Sequence, residues 1–268
     1  MPRSLPTVSI IIPTLNEGEA LPVCLAAVSS QSLEGVELII VDSSSKDGTR
    51  ETAVRAGATV VDYPGRPLGA RRAGLQRSRG KFVLLLDADQ VLYPDTLERA
   101  VAAMDRLDML ALEESSYEPK GFLQKSIARQ KSALQGAVGT VALPPHVYPR
   151  LYRREVLEAA FQRLPQETLG KVFAFDDRVL FAKAKGISDK VGLLPRGVMH
   201  IEEASWRDMM RHAFRQGKSA KSLKALGLEE EASAPEPAMA LMRRAARNHY
   251  LTYSVLKEAS FRIGKALG

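Results

Sequence analysis

Short runs of consecutive apolar residues recur over the first third of the chain, and segments with helical spacing separate them. Each run is continuous and rich in Val, Ile or Leu, which is typical of strands buried on both faces of a parallel sheet. We predict four such strands, over residues 8–13, 36–41, 59–61 and 82–86. Strands that alternate with helices predict an α/β fold in which helices cover both faces of the sheet.

Helix signals lie between these strands and continue after them. Gly57, Gly80 and Gly186 stand where helical segments end, and Ser205 is a suitable N-cap. Prolines at 144, 145 and 149 predict a loop, and two short strands are predicted at 191–194 and 198–201. The predicted helices cover residues 21–28, 52–56, 68–79, 95–107, 120–134, 153–161, 176–185 and 206–226.

An acidic, proline-containing segment at 229–237 predicts a linker that follows a domain spanning residues 1–228. The next segment, 238–268, has apolar residues at helical spacing and is rich in Lys and Arg, with Glu258 as its single acid. This pattern predicts a basic amphipathic helix. Two interpretations stay open: the helix packs on the core with a solvated basic face, or it lies on an anionic membrane surface.

The chain has 268 residues, 45% of them hydrophobic, and a formal net charge of +7. This charge suits anionic partners such as nucleotides, lipid phosphates or anionic membranes. The basic residues are dispersed and no nucleic-acid-binding module is recognisable, so no nucleic acid partner is expected. Cys24, the single cysteine, is expected to be a buried thiol. Without an apolar run of about 18 residues or a signal-peptide region, we expect a cytoplasmic protein, soluble or peripheral on the membrane.

Acidic residues directly follow the predicted strands: Asp42, Asp62, Asp87 and Asp89. Ligands of open parallel sheets bind beyond the carboxyl ends of the strands, so these carboxylates are expected to meet at one edge. Clustered carboxylates repel one another unless a cation compensates them. The sequence therefore predicts a Mg²⁺ or Mn²⁺ site, in which the metal would neutralise a departing diphosphate.

Two nucleotide-binding motifs are missing from the sequence. No GxGxxG follows the first strand and no GxxxxGK[ST] occurs anywhere in the chain. A dinucleotide-binding Rossmann site and a phosphate-loop NTPase are therefore both poorly supported.

Four blocks of sequence, residues 8–17, 40–49, 69–74 and 82–89, occur in the order and spacing found in a known family. The chain resembles the inverting glycosyltransferases of the GT-A fold, family 2. The resemblance implies a Rossmann-like, mostly parallel sheet flanked by helices, with a C-terminal helical extension. It also implies a nucleotide-sugar-binding half in residues 1–110 and an acceptor half in 111–228.

The resemblance assigns roles on the donor side. Asp42 would bind the base, Arg71 would approach the diphosphate, Asp87 would lie near the ribose and the metal, and Asp89 would be the principal metal ligand. For Asp42 the alternative is turn formation, and for Arg71 it is a solvated helix face. Arg72 stands where the family often has Asn, so either arginine could make the phosphate contact. Four residues would line the nucleotide pocket: Pro13, Thr14, Asn16 and Glu17.

On the acceptor side, Asp176 and Asp177 match an acidic pair, often Glu-Asp, at the start of a helix. Asp177 aligns with the general base, and Asp176 replaces Glu with a shorter side chain. Helix capping is the alternative for both. His200 stands where a histidine of relatives can complete the metal site, and a purely structural histidine is the alternative. Arg215 lies in a segment that resembles a mobile acceptor-side loop and helix.

These roles indicate a metal-dependent inverting glycosyltransferase. It would move a sugar from a UDP- or GDP-sugar to a hydroxyl or a lipid phosphate, at the membrane surface. A sugar nucleotidyltransferase and a non-catalytic nucleic-acid-binding or anion-binding protein are the alternatives.

Overall fold

The computed structural model describes residues 5–138, 148–228 and 251–267. In this part of the chain, eight strands form one sheet and ten helices surround it. The strands are β1 (Val8–Thr14), β2 (Val36–Asp42), β3 (Thr59–Asp62), β4 (Phe82–Leu85), β5 (Gln90–Leu92), β6 (Met109–Ser116), β7 (Pro149–Arg153) and β8 (Val191–His200). The helices are α1 (Leu21–Ser29), α2 (Thr49–Arg55), α3 (Pro67–Arg77), α4 (Thr96–Ala103), α5 (Gly121–Val138), α6 (Arg154–Gln162), α7 (Thr168–Lys171), α8 (Asp176–Lys185), α9 (Trp206–Ala225) and α10 (Leu251–Leu267).

The strand order across the sheet is β3-β2-β1-β4-β7-β6-β8-β5. The first four strands in this order are parallel to one another. Strand β7 lies antiparallel between β4 and β6, β8 runs parallel to β6, and β5 pairs antiparallel with β8 at the edge. The expected α/β architecture, a mostly parallel sheet flanked by helices, is confirmed.

Apolar side chains of the sheet point alternately to two helical layers. Ile10 and Ile12 of β1 pack in the layer that contains α1 and α4. Ile11 packs in the opposite layer, with α3, α6 and α8. All three isoleucines are fully buried. Because both faces are covered, the strand had to be continuously apolar, and this was the signal that predicted it.

The structure bears out most of the predicted elements. The four predicted strands are present, and the predicted helix at 176–185 has the same bounds as α8. Ser205 caps α9, where its Oγ accepts a hydrogen bond from the backbone N–H of Asp208 at 3.1 Å. The two short strands predicted at 191–194 and 198–201 are one strand, β8. Strands β5, β6 and β7 were not predicted, and Pro149 begins β7, where a missing N–H is tolerated.

The C-terminal helix α10 packs against α9. The two helices are in close contact at Gly217 and Gly264, where an added Cβ would overlap with the carbonyl oxygens of Phe261 and Phe214. The described part of the segment 238–268 therefore packs against α9. The predicted linker at 229–237 lies outside the described residues. Among the helices that the structure describes, none has both the length and the apolar composition needed to cross a bilayer.

Candidate active site

The loops that follow β1 and β2 are joined by hydrogen bonds at the carboxyl edge of the sheet. The backbone N–H of Asn16 donates to Oγ of Ser45, and Oδ1 of Asn16 accepts from the backbone N–H of Lys46, both at 2.9 Å. The backbone N–H of Gly18 donates to Asp47 Oδ2 at 3.0 Å. Asn16 has a φ of 57°, a left-handed conformation that asparagine tolerates better than most residues. The structure thus brings the predicted pocket residues of both loops together.

Thr14 and Asp42 lie opposite each other at the ends of β1 and β2. Oγ1 of Thr14 donates to Oδ1 of Asp42 at 3.2 Å, and the backbone N–H of Ser45 donates to Oδ2 at 3.1 Å. Both residues are buried. Asp42 is therefore held in one orientation beside β1, which contains Pro13, also expected to line the pocket.

Arg71 is buried on α3 and binds two carboxylates from distant parts of the chain. Its Nη2 lies 2.5 Å from Asp87 Oδ1, and its Nε lies 2.5 Å from Asp176 Oδ2. Arg150 of β7 donates to the other oxygen of Asp87 at 2.8 Å. Burial acts to raise the pKa of Asp87, but Arg150 and Arg71 outweigh it and hold that pKa below its usual range.

These contacts bear on the roles expected for two of these residues. Arg71 was expected to approach a diphosphate. Two of its nitrogens bond carboxylates, and its buried Nη1 has no partner among the described residues. Asp87 was expected near the ribose and the metal, and each of its oxygens accepts a hydrogen bond from an arginine in this structure. The contact with Arg150 arises because β7 lies next to β4 and brings Arg150 to Asp87, two residues beyond the end of β4. No sequence motif marked Arg150.

Asp177 lies in the first turn of α8, directly after Asp176. The preceding Phe175 has a φ of 67°, an uncommon conformation for a bulky residue. Burial raises the pKa of Asp177, and Arg150 partly offsets that effect. The backbone N–H of Arg178 donates to Oδ1 of Asp177 at 2.8 Å. A buried carboxylate with a raised pKa suits a general base, which works best when its pKa is near the operating pH.

Asp89 and His200 face each other across β5 and β8. Nε2 of His200 lies 3.2 Å from Oδ2 of Asp89. Oδ1 of Asp89 is buried and has no hydrogen-bond partner among the described residues. Burial acts to lower the pKa of His200, but Asp89 and Glu202 outweigh it, and that pKa lies well above its usual value.

These two side chains fit a divalent cation in part. Within residues 5–138, 148–228 and 251–267, no group of three or more His, Cys, Asp or Glu side chains is arranged to hold a metal ion. The unpartnered oxygen of Asp89 is nevertheless a suitable ligand for Mn²⁺ or Mg²⁺, and His200 would have to lose a proton to join it. Cations of this kind commonly take one or two protein ligands and complete their shell with substrate phosphates and water.

Glu17 belongs to the same edge of the sheet. Burial, together with the charges of Asp89 and Asp87, raises the pKa of Glu17 to about 7. Arg215 of α9 opposes this shift, which places its charge near the same site. The structure therefore brings the predicted residues of the first loop, the fourth strand and α9 to one place.

Three further charged residues contact the site and were not predicted: Lys131, Glu114 and Glu202. Lys131 forms ion pairs with both glutamates. Of the three, only Glu202 could have been suspected from the sequence, because it lies two residues after the candidate metal ligand His200. Lys131 lies on α5 and Glu114 on β6, and neither belongs to a motif that could have identified it.

A curated relative and two solved structures resemble the chain. The undecaprenyl-phosphate 4-deoxy-4-formamido-L-arabinose transferase of Aeromonas hydrophila is 29% identical over 208 residues, which are 72% of this chain and 64% of that protein. The chain spans between 37% and 64% of the length of three such relatives.

The structural likenesses show the fold. TarS 1–349 of S. aureus in complex with UDP-GlcNAc has a TM-score of 0.60 at 17% identity, and the match covers 97% of this chain and 90% of TarS. The mannosyltransferase PcManGT of Pyrobaculum calidifontis, in complex with GDP-Man and Mn²⁺, has a TM-score of 0.59 at 22% identity, covering 100% of this chain and 77% of that chain. The GT-A fold expected from the resemblance is confirmed by these matches.

The family that matches the sequence is glycosyl transferase family 2, over residues 9–161. This range is more than half of the chain and contains the joined loops after β1 and β2, Arg71, and the residues after β4. The chain therefore belongs to glycosyl transferase family 2.

Proposed function

We propose that the chain is a metal-dependent, inverting glycosyltransferase that uses a UDP- or GDP-sugar as its donor. The observation that carries this proposal is the buried, unpartnered Oδ1 of Asp89, beside His200 and at the edge of the sheet where the family's sequence blocks meet. An acidic oxygen without a donor is costly to bury, and a cation there would compensate it.

The donor nucleotide would bind between the loops after β1 and β2. Thr14 and Asp42 are held by their mutual hydrogen bond, and Asn16 ties the two loops together. A pocket whose walls are fixed before binding loses less conformational entropy when the ligand arrives. Similar structures were solved with UDP-GlcNAc and with GDP-Man, which supports a nucleoside diphosphate sugar and leaves the base open.

Asp89 and His200 would hold the cation, together with the diphosphate of the donor. A bound Mg²⁺ or Mn²⁺ supplies charge neutralisation for the departing diphosphate. In this proposal Asp87 orients Arg71 and Arg150 beside the donor, because both of its oxygens are engaged by those arginines.

Asp177 would act as the general base. It accepts the proton of an acceptor hydroxyl as the oxygen attacks the anomeric carbon from the face opposite the diphosphate, which inverts the configuration. Burial raises the pKa of Asp177, and a base with a higher pKa removes that proton more effectively. Asp176, fixed by Arg71 at 2.5 Å, anchors the first turn of α8 next to it.

We further propose a lipid-phosphate acceptor and a membrane-facing helix α5. The sequence of α5 contains no acidic residue, and its outward face carries Phe122, Lys125 and Arg129. Phe122 is 73% exposed. An exposed aromatic ring beside cations suits the interface of an anionic bilayer. The curated relative named an undecaprenyl-phosphate arabinose transferase supports an acceptor of this class.

Calorimetric titration tests the donor and metal assignments. UDP and GDP are titrated into the wild type and into Asp89→Ala, with Mn²⁺ and with EDTA. We expect wild-type binding of one nucleotide to depend on Mn²⁺, and the variant to lose this dependence while it unfolds at a similar temperature. Thr52→Ala, a change in α2, is the control and should bind as the wild type does. Equal affinity in EDTA and Mn²⁺ would overturn the metal assignment.

A further inference from the structure

Lys131 of α5 connects two glutamates that come from different parts of the sheet. Its Nζ donates to Oε1 of Glu114, on β6, and lies equally close to Oε1 of Glu202, just after β8, at 2.7 Å in each case. The side chain of Glu202 is 3% exposed and that of Lys131 is 25% exposed. An ammonium group has three N–H donors, so one lysine can satisfy both carboxylates.

The Glu114 arm of this arrangement reaches the backbone of Asp87. Oε2 of Glu114 accepts a hydrogen bond from Nε2 of Gln90 at 3.0 Å. Oε1 of the same Gln90 accepts from the backbone N–H of Asp87, also at 3.0 Å. Gln90 is 1% exposed, so its amide has little freedom to turn away from these partners.

The Glu202 arm reaches the carboxylate of Asp89. Oε2 of Glu202 lies 3.2 Å from Nδ1 of His200, and Nε2 of that ring lies 3.2 Å from Asp89 Oδ2. Oγ of Ser116 donates to Oε1 of Glu202 at 2.6 Å and helps to fix it. The two arms therefore start at one ammonium group and end at the two acids of the turn between β4 and β5.

We propose that Lys131 is a positioning residue for the turn that contains Asp87 and Asp89. It acts through Glu114 and Glu202, and so sets the orientation of Asp89 and His200 toward the cation and the donor diphosphate. This inference rests on the proposed function, since it assigns a role in the same site. It adds α5 to the elements that build the donor site, although this helix follows the predicted donor half of the chain.

The charges of the cluster explain why a cation is needed at this position. Glu114 and Glu202 are two carboxylates close to two more, Asp87 and Asp89, and like charges in a buried place repel. Without Lys131, Glu202 would keep His200 as its cationic neighbour, and the other ring nitrogen of that histidine faces Asp89. Outer partners that orient a metal ligand typically contribute 10–100-fold to metal affinity.

A set of variants at Lys131 and Glu202 tests this role by metal binding instead of turnover. Free Mn²⁺ is measured by electron paramagnetic resonance in the presence of UDP or GDP, whichever the wild type binds more tightly. Lys131→Met and Glu202→Ala are each expected to raise the dissociation constant of Mn²⁺ by about 10-fold or more. Lys185→Met, at an exposed position on α8, is the matched control and should bind like the wild type.

The double variant Lys131→Met/Glu202→Ala removes one charge of each sign, so it should fold even if a single variant does not. Its loss of affinity should be clearly smaller than the product of the two single losses, because both residues act along one path. Lys131→Arg keeps the positive charge and should retain most of the wild-type affinity for Mn²⁺. Two results would overturn the role of Lys131 and leave the proposed function intact. One is wild-type affinity for Mn²⁺ in a folded Lys131→Met protein, and the other is a double variant whose loss of Mn²⁺ affinity equals the product of the two single losses. Failure of the wild type itself to bind Mn²⁺ with either nucleotide would overturn both.

Discussion

Arg71 binds Asp176 across 105 positions of sequence, with Nε of the arginine 2.5 Å from Oδ2 of the aspartate. The same guanidinium binds Asp87 through Nη2. One buried cation thus connects Asp87, in the turn between β4 and β5, to the first turn of α8. The donor and acceptor sides of the proposed site are held together by this side chain.

Removal of Arg71 should therefore weaken both the fold and the site. We expect Arg71→Met to lower the free energy of unfolding by about 3–5 kcal/mol, because Asp176 loses its buried partner. Arg71→Lys keeps the charge but not the fork that spans two carboxylates, so a smaller loss is expected. Urea unfolding measures both values. Arg77→Ala, an exposed change on the same helix, serves as the control, and equal stability of Arg71→Met and this control would contradict the expectation.

The variant Asp177→Asn should distinguish a hydroxyl acceptor from a lipid-phosphate acceptor. With a hydroxyl acceptor we expect turnover to fall by about 10²–10⁴-fold, because the base is lost. With a lipid phosphate the loss should be mild, since a phosphate with a second pKa of about 6 is already ionised near neutral pH. Transfer of radiolabelled sugar to each acceptor measures the difference. Asp189→Asn, at an exposed position, controls for the change of residue type, and equal losses with both acceptors would contradict this division.

Glu17 should make stability depend on pH. Its pKa is about 7 in the folded protein, against 4.5 as the ordinary value, so the folded state holds the proton more tightly than the unfolded state. Between these values the free energy of unfolding falls as pH rises, and the penalty is fully present above pH 7.

Glu17→Gln should remove this slope and stabilise the metal-free protein above pH 7 by about 1–2 kcal/mol, after allowance for solvent screening. Urea unfolding in EDTA at several pH values measures the effect. Glu19→Gln, at an exposed neighbouring position, is the control. Parallel pH profiles for the wild type and Glu17→Gln would argue against a raised pKa at Glu17.

The contact between α9 and α10 should not tolerate a side chain at Gly264. A Cβ there would overlap with the carbonyl of Phe214, so the helices must separate. Overpacking typically costs about 1–3 kcal/mol, and we expect Gly264→Ala to lower the melting temperature by about 2–10 °C. Amide hydrogens of α10 should also exchange faster. Gly170→Ala, where an added Cβ meets nothing within 4 Å, is the control. Unchanged amide hydrogen exchange in α10 would show that the close contact at Gly264 does not stabilise this helix.

Phe122 should contribute to binding of anionic vesicles. Burial of a phenylalanine side chain is worth about 1.5–3 kcal/mol, so Phe122→Ser should weaken binding to phosphatidylglycerol vesicles by about 10-fold or more. Co-sedimentation measures the partitioning. Val54→Ser, at a position 60% exposed on α2, is the control for loss of an exposed apolar group. If both variants bind the vesicles equally well, the membrane contact lies elsewhere on the protein.

The first four strands and the acids that follow them could be predicted because their signals are local. A strand buried on both faces must be continuously apolar, as Ile10, Ile11 and Ile12 are, and parallel strands place their carboxyl ends at one edge. Asp42, Asp87 and Asp89 could therefore be assigned to one edge from sequence alone. Asp176 and Asp177 were identified by their match to the family, at the start of a helix that the structure confirms.

The partners of these residues were decided by the tertiary structure. Strand β7 is antiparallel and short, and nothing in its sequence indicated that it would lie beside β4 and bring Arg150 to Asp87. Lys131 and Glu202 are separated by 71 positions in the numbering, so no spacing rule could pair them. Ion pairs of this kind depend on the order of the strands across the sheet, which is a property of the whole fold. The sequence by itself thus determined which acids follow the parallel strands, and only the fold determined which distant residues, such as Arg150, Lys131 and Glu202, lie against them.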